Sequence, residues 1–147
     1  QQFAHRKSVG GYVAMFNNNA VSWCSKKQSM LVQATCEAEY IAATEAAKEL
    51  YAVRQLLSEL GCKTATPDLF VDNTSTIDTI KGGGSYQKRK HIDIRLQFLG
   101  DWWRKRYFHL QHCPSEEMLA DMFTKPLKRP PLQHLCQGLR LRHKRQV

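Results

Sequence analysis

The stretch from Thr35 to Leu60 constrains this chain more than any other. It is rich in Ala, Glu and Leu, holds no glycine or proline, and is followed by Gly61. Such residues lose little freedom in a helix, and a glycine just past the end is a common stop. One long helix is predicted over 35–60. Its apolar stripe runs Ala43, Ala46, Leu50, Val53, Leu57, Leu60, in steps of three and four. Four residues before Ala43 stands Glu39, so the face meant for the core begins with a carboxylate. A helix of this kind needs a second layer to bury its stripe.

The flanking segments supply that layer. Residues 8–16 alternate and carry Val9, Tyr12, Val13 and Phe16; Asn17-Asn18-Asn19 signals a turn; Ala20–Cys24 resumes with Val21 and Trp23. This pattern predicts a hairpin. A short strand or connector is expected over 29–34. Leu69–Asp72 reads as a brief strand, entered through Pro67-Asp68 and followed by a helix to Ile80 with Asn73 or Thr74 as its cap. Gly82-Gly83-Gly84 breaks the pattern. A helix is expected over 91–104, with Ile92, Leu96, Phe98, Leu99 and Trp103 on its apolar side, then a strand over 106–112. Pro114–Glu117 resembles a helix start, opening a helix over 116–123 that carries Asp121. After Pro130-Pro131 the basic end reads as a linker or loosely packed tail. The order of elements indicates an α/β layer structure, a mixed sheet with helices packed on it.

Charge is unevenly placed. The net charge is +9, yet residues 1–36 hold no acid and residues 37–78 hold eight acids against three Lys/Arg. Residues 81–106 reverse this, with eight Lys/Arg against two acids, and residues 125–147 hold seven and none. An acid-rich middle between basic segments suits a polyanion ligand around a metal centre; a solvated basic surface is the plainer reading. The five cysteines include no CxxC pair, which argues against zinc and for free thiols in a reducing compartment. No stretch approaches a membrane span, and no secretory leader is expected, so the expected location is intracellular, cytoplasmic or nuclear.

Three acids occupy special places. Glu39 opens the buried stripe, Asp72 ends the short strand, and Asp121 lies in an apolar segment between Ala120 and Met122. Ionised carboxylates in apolar surroundings are costly unless paired or metal-bound. If three converged, a hard divalent cation, Mg²⁺ or Mn²⁺, would relieve their repulsion; structural acids that cap helices or form ion pairs are the alternative. Two such ions suit in-line phosphodiester hydrolysis.

A set of motifs narrows the field. Arg6–Val13, Ala20–Ser29, Glu37-Ala38-Glu39-Tyr40-Ile41-Ala42, Ala46–Glu49, Val71-Asp72-Asn73, Lys90-His91-Ile92-Asp93-Ile94-Arg95 and Leu119-Ala120-Asp121-Met122-Phe123-Thr124-Lys125-Pro126-Leu127 follow one another over about 6–127. In kind and order they resemble the ribonuclease H domain at the C-terminal end of the Ty1/copia-type retrotransposon Pol polyprotein. The resemblance implies a ribonuclease H-like domain over 1–127, incomplete at its N-terminus, and a basic tail over 128–147. It implies hydrolysis of the RNA strand of an RNA/DNA hybrid during reverse transcription, beside the reverse transcriptase portion of the same polyprotein, with no small-molecule cofactor.

Of the four acids that hold two Mg²⁺ (or Mn²⁺) ions in such domains, three carry over: Glu39, Asp72 and Asp121. Glu37 rivals Glu39, but the helical stripe and the Glu39-to-Ala42 spacing favour Glu39. The family's first acid lies on an opening strand, in an Asp-x-Asp-Trp-type motif upstream of Arg6; neither that acid nor the usual first strand is in these residues. Val9-Gly10 and Cys36 also depart from the usual Thr-Ser and Ser or Thr. Cleavage is therefore expected to be impaired, and a catalytically inactive, nucleic-acid-binding remnant is the alternative.

Lys26, Lys27, Gln28, Asn73, Lys88, Arg89, Lys90 and Arg95 are the candidate nucleic-acid contacts, with Arg104–Arg106 a further basic group on the DNA strand. Asp93 reads as an ion-pair partner and His112 as a strand residue that could instead move a proton. The three tryptophans read as core.

Overall fold

The computed structural model describes residues 9–27, 35–82 and 90–141; of the side chains at 35–37 and 90–93 nothing is described. The expected connector over 29–34, and Gln28, Lys88 and Arg89, lie outside the described residues.

The N-terminal hairpin forms as expected. Strand β1 (Val9–Phe16) pairs antiparallel with β2 (Asn19–Lys27), from Val9 opposite Lys27 to Phe16 opposite Asn19, with an irregularity between Ala14 and Met15. Asn17 and Asn18 make the two-residue turn with φ of 49° and 60°. Tight hairpins need positive φ at both central positions, which Asn tolerates better than most side chains.

Helix α1 (Thr35–Glu59) is the long helix. Gly61, at φ 79°, ends it: its N–H bonds to Ser58 O and that of Cys62 to Leu57 O, at 2.9 and 2.8 Å. This pair of bonds satisfies two last-turn carbonyls and requires the left-handed backbone that glycine supplies. The buried face differs from the expected stripe. Tyr40, Ala43, Thr44 and Ala47 are the buried residues, Ala46 and Leu50 flank them, and Leu60 is 70% exposed. Only the first half of α1 lies against the sheet residues, so its C-terminal leucines meet water.

Strand β3 (Asp68–Val71) lies parallel to β4 (His109–His112), with Leu69 opposite Leu110 and Val71 opposite His112. Between them run α2 (Thr74–Ile80) and α3 (Lys90–Arg104), the crossover that a parallel pair requires. The core joins Tyr40, Ala43 and Ala47 of α1 to Leu69, Val71, Ile77, Ile80, Leu99, Phe108 and Leu110. Trp102 and Trp103 pack against it, whereas Trp23 is 62% exposed on β2, contrary to the expectation of a core residue. On a hairpin covered mainly on one face, alternation sends every second side chain outward.

The α/β class holds and is compatible with a ribonuclease H-like fold. The strands, however, make two separate two-stranded ladders, β1–β2 and β3–β4, where one mixed sheet was expected. Among the described residues no strand bridges them.

Two further expectations change. The segment carrying Asp121 is two 3₁₀ turns, Ser115–Glu117 and Leu119–Phe123, in place of an α-helix over 116–123. Its bonds close three residues back, as from Asp121 N to Met118 O at 3.0 Å. The expected loose tail contains α4 (Arg129–Gly138), with Pro130 and Pro131 in the first turn, where no intrahelical N–H is needed. Leu135 and Leu139 are buried, and Gly138 lies close against Leu119 of the second 3₁₀ turn. Leucines four apart share one helix face, which is why this basic segment docks.

Candidate acidic site and its basic flank

Asp72 follows β3 directly, and Asn73 then caps α2, its Oδ1 accepting from the N–H groups of Ser75 (2.9 Å) and Thr76 (3.4 Å). The cap turns the chain sharply at Asp72, leaving that carboxylate half-buried at the strand end. Asn73, a candidate nucleic-acid contact, thus has its carbonyl end committed to the helix cap.

Glu39 is half-buried on α1. Its Oε2 accepts from the Oγ1 of Thr76, 2.9 Å away and fully buried in α2. This bond ties the long helix to the helix that begins beside Asp72. The carboxylate of Asp121 is 13% exposed, and its Oδ2 receives the Nζ of Lys125 at 2.9 Å, four residues on. Lys125 supplies positive charge where a cation was expected.

Of the three expected acids, Glu39 and Asp121 thus each lean on a different partner, Thr76 and Lys125. Among the described residues no three acidic, histidine or cysteine side chains are grouped so as to hold one metal ion. The chemistry of hard oxygen donors is present; the grouping that a two-ion site needs is not.

Asp72 and Asp121, though not Glu39, do act on one group: Cys113, just past β4, whose N–H donates to Val71 O at 3.0 Å. Burial pushes the Cys113 thiol up, and the negative charges of Glu117, then Asp72, then Asp121 push it further. A thiolate there would be desolvated beside three anions. Sequence reasoning passed over Cys113, Glu117 and Thr76. A signal for Glu117 existed in its placement four before Asp121; nothing marked Cys113, because its neighbours arrive from distant parts of the chain. His112 is an exposed residue of β4.

The pH dependence follows. Because the thiolate is the nucleophile, Cys113 should react with iodoacetamide along a pH profile whose midpoint lies above the usual 9.0. Asp72→Asn or Glu117→Gln should each move that midpoint down. Peptide-resolved mass spectrometry across a pH series checks this, and unchanged midpoints would separate the acids from Cys113.

The basic side of the site lies on the hairpin. Gly10, Tyr12, Cys24, Lys26 and Lys27 enclose, with Ile41 and Glu45 of α1 and Arg95 of α3, a pocket of about 320 Å³. Lys26 and Lys27 are exposed and Arg95 is half-buried, so three of the candidate contacts share one pocket. Tyr12 also faces it; burial, then the Glu49 carboxylate, raises its phenol above the ordinary range. Lys90 opens α3, and Arg104 is paired with Asp101 on the helix surface. Among the described residues Cys24, Cys62, Cys113 and Cys136 are free thiols. No described helix is long and apolar enough to cross a membrane.

Fold and site together define an α/β domain with an acidic strand-end region flanked by a basic hairpin. Its homologues are Pol polyproteins of Ty1/copia-type retrotransposons. It is 36% identical over 92% of its length to the retrovirus-related Pol polyprotein from transposon TNT 1-94 of Nicotiana tabacum, and 30% identical over 90% to that from transposon RE1 of Arabidopsis thaliana. Similarity extends to the transposon Ty1-NL2 Gag-Pol polyprotein of Saccharomyces cerevisiae, at 29% over 82% of the chain. The chain corresponds to 10%, 9% and 7% of those polyproteins respectively. No family model and no solved structure matches it.

Proposed function

We propose that this chain is the ribonuclease H part of a Ty1/copia-type Pol polyprotein, that it holds RNA/DNA hybrid, and that these 147 residues alone cleave the RNA strand poorly if at all. One observation carries the reading: Asp72 and Asp121, from separate elements, both act on the thiol of Cys113, and Glu39 is tied to the helix that starts beside Asp72. A strand-end carboxylate with a second acid close by from another element, beside a basic surface, suits phosphodiester chemistry.

The second half of the proposal rests on the same geometry. Bound Mg²⁺ or Mn²⁺ would supply charge neutralisation and an activated water in such a reaction. The present acids do not fit that role unaided, since one oxygen of Glu39 accepts from Thr76 and one of Asp121 faces Lys125. Binding needs no such grouping: Lys26, Lys27 and Arg95 offer charge for phosphates, and the exposed Trp23 on the same strand as the two lysines offers a face for base stacking.

The test joins binding and cleavage on one labelled hybrid. Anisotropy should show affinity falling steadily with salt, and replacing Lys26 or Lys27 by Ala should each reduce the log–log slope by about 1. Magnesium-dependent cleavage should be weak or missing in the 147 residues, gained when the polypeptide is extended upstream with the corresponding polyprotein segment, and lost again in the extended Asp72→Asn variant. Salt-independent binding, or cleavage indifferent to Asp72→Asn, overturns the proposal.

A further inference from the structure

Trp23 of β2 is 62% exposed, and Val21, two residues before it, is 46% exposed. Ala20, Ser22 and Cys24, which alternate with them, are half-buried. Cys24 and Lys26 turn toward α1, where they meet Ile41 and Ala42 around the basic pocket; alternation sends Trp23 the other way. The 3₁₀ segment covers that outward face at one end. Ser25 Oγ donates to the carbonyl of Phe123, and Gly11, opposite Ser25, lies against Phe123 and Thr124. Trp23 stands one alternation beyond this cover, opposite Val13 of β1. The register also skips Val21, since Ala14 pairs with Ser22 and Met15 with Ala20. An extra residue of this kind bends a strand and re-aims the side chains near it.

A lone exposed apolar residue is ordinary, so the setting decides what Trp23 does. Lys26 and Lys27 follow it on the same strand and are exposed. Lys27 lies two alternations on, about 13 Å away at the usual rise per residue. Residues 1–36 contain no acid, so the hairpin carries positive charge alone. Asp121, on the covering segment, is already met by Lys125. An aromatic face followed by cations fits a polyanion that also carries flat rings. An apolar peptide would use Trp23 and Val21 and leave the lysines without partners. Within a duplex, each base has both faces covered by its neighbours in the stack. An indole on the protein surface therefore finds a free base face only on an unpaired or terminal nucleotide.

We propose that β2 is a platform for single-stranded nucleic acid, on which Trp23 stacks an unpaired base while Lys26 and Lys27 take phosphates of the same strand. Stacking and phosphate contacts do not read the sugar, so DNA and RNA single strands both qualify. The inference rests on the proposed function and narrows its substrate to a hybrid that carries an unpaired extension. The bare strand that appears as its partner is removed is of this kind. None of the acids takes part, so the platform and the cleavage reading can fail separately.

The experiment uses the 147-residue chain with oligo(dT), oligo(U) and a blunt-ended RNA/DNA hybrid, each about 12 nucleotides long. Trp102 and Trp103 pack against the core, so the water-exposed part of the tryptophan emission belongs to Trp23. Both single strands should quench that emission saturably, and more strongly than the blunt hybrid does. In anisotropy with labelled strands, Trp23→Ala should weaken single-strand binding by about tenfold or more, the loss of one stacked base, and should weaken hybrid binding by clearly less. Trp23→Phe should recover part of the loss. If Trp23→Ala does not fold, quenching of the unaltered chain still decides. Absence of quenching by both single strands overturns the proposal. So does an equal loss on single strand and hybrid, or unimpaired single-strand binding by folded Trp23→Ala. Self-association that shields Trp23 without nucleic acid would make a second copy the occupant and equally overturn it. Single-strand quenching without any binding of the hybrid would support the platform and strike the proposed function instead.

Discussion

Phe108→Ala should destabilise the fold by about 3–5 kcal/mol, the usual cost of removing a buried aromatic ring. Phe108 is 2% exposed, stands immediately before β4, and is one of the largest side chains with essentially no contact with water. It belongs to the cluster that contains residues of α1, β3, α2, α3 and β4, so no single element can close over the void. Core neighbours such as Ala43 and Ala47 are already small and cannot expand to fill it. A domain of this size is stable by roughly 5–15 kcal/mol, and the loss is a large part of that. Urea unfolding followed by circular dichroism measures it through the midpoint. A loss under about 1 kcal/mol would mean that the ring is not in a packed core.

Gly11→Val should be the second severe change, for the opposite reason. A Cβ at Gly11 would lie 2.6 Å from the carbonyl oxygen of Cys24, within the ladder that holds the hairpin together. It would also meet the Cγ2 of Thr124 at 3.0 Å and the Cβ of Phe123 at 3.2 Å. A flexible side-chain end could step aside; a backbone carbonyl in a hydrogen-bonded pair and a Cβ cannot without moving their elements. Overpacking of this kind costs about 1–3 kcal/mol. Its consequence reaches the site, because Phe123 closes the 3₁₀ turn that carries Asp121, and Ser25 beside Gly11 in the ladder donates to the carbonyl of Phe123. Thermal unfolding gives the stability. The pH profile of Cys113 reports whether Asp121 has withdrawn: its midpoint should fall. A variant as stable as the parent, with the Cys113 profile unmoved, would contradict the close approach.

Much of the fold was legible because its causes are local. Asn17-Asn18 dictated the tight turn, Gly61 the stop of α1, and Asn73 the cap of α2, each through backbone conformation or a bond to a residue two or three away. Where sequence reading went astray, the deciding contacts were distant. The stripe of α1 was traced to Leu60, but the sheet residues cover only its first half, and burial moved to Tyr40, Thr44 and Ala47. The segment of Asp121 had helical spacing and became 3₁₀ turns packed against β1 and α4. The tail was judged by its charge, while Leu135 and Leu139 found cover on the second of those turns.

The candidate site divides along the same line. Glu39, Asp72 and Asp121 stand out in the sequence because each interrupts or ends an apolar pattern, and the motifs around them resemble those of one family in order. Local periodicity sets which face a side chain occupies; it does not set what stands opposite. Only the tertiary structure decided that Thr76 holds Glu39, that Cys113 lies among Asp72, Glu117 and Asp121, and that β1 and β3 face each other across an open cleft. Those pairings join residues far apart in the chain, whose meeting depends on the packing of every element between them.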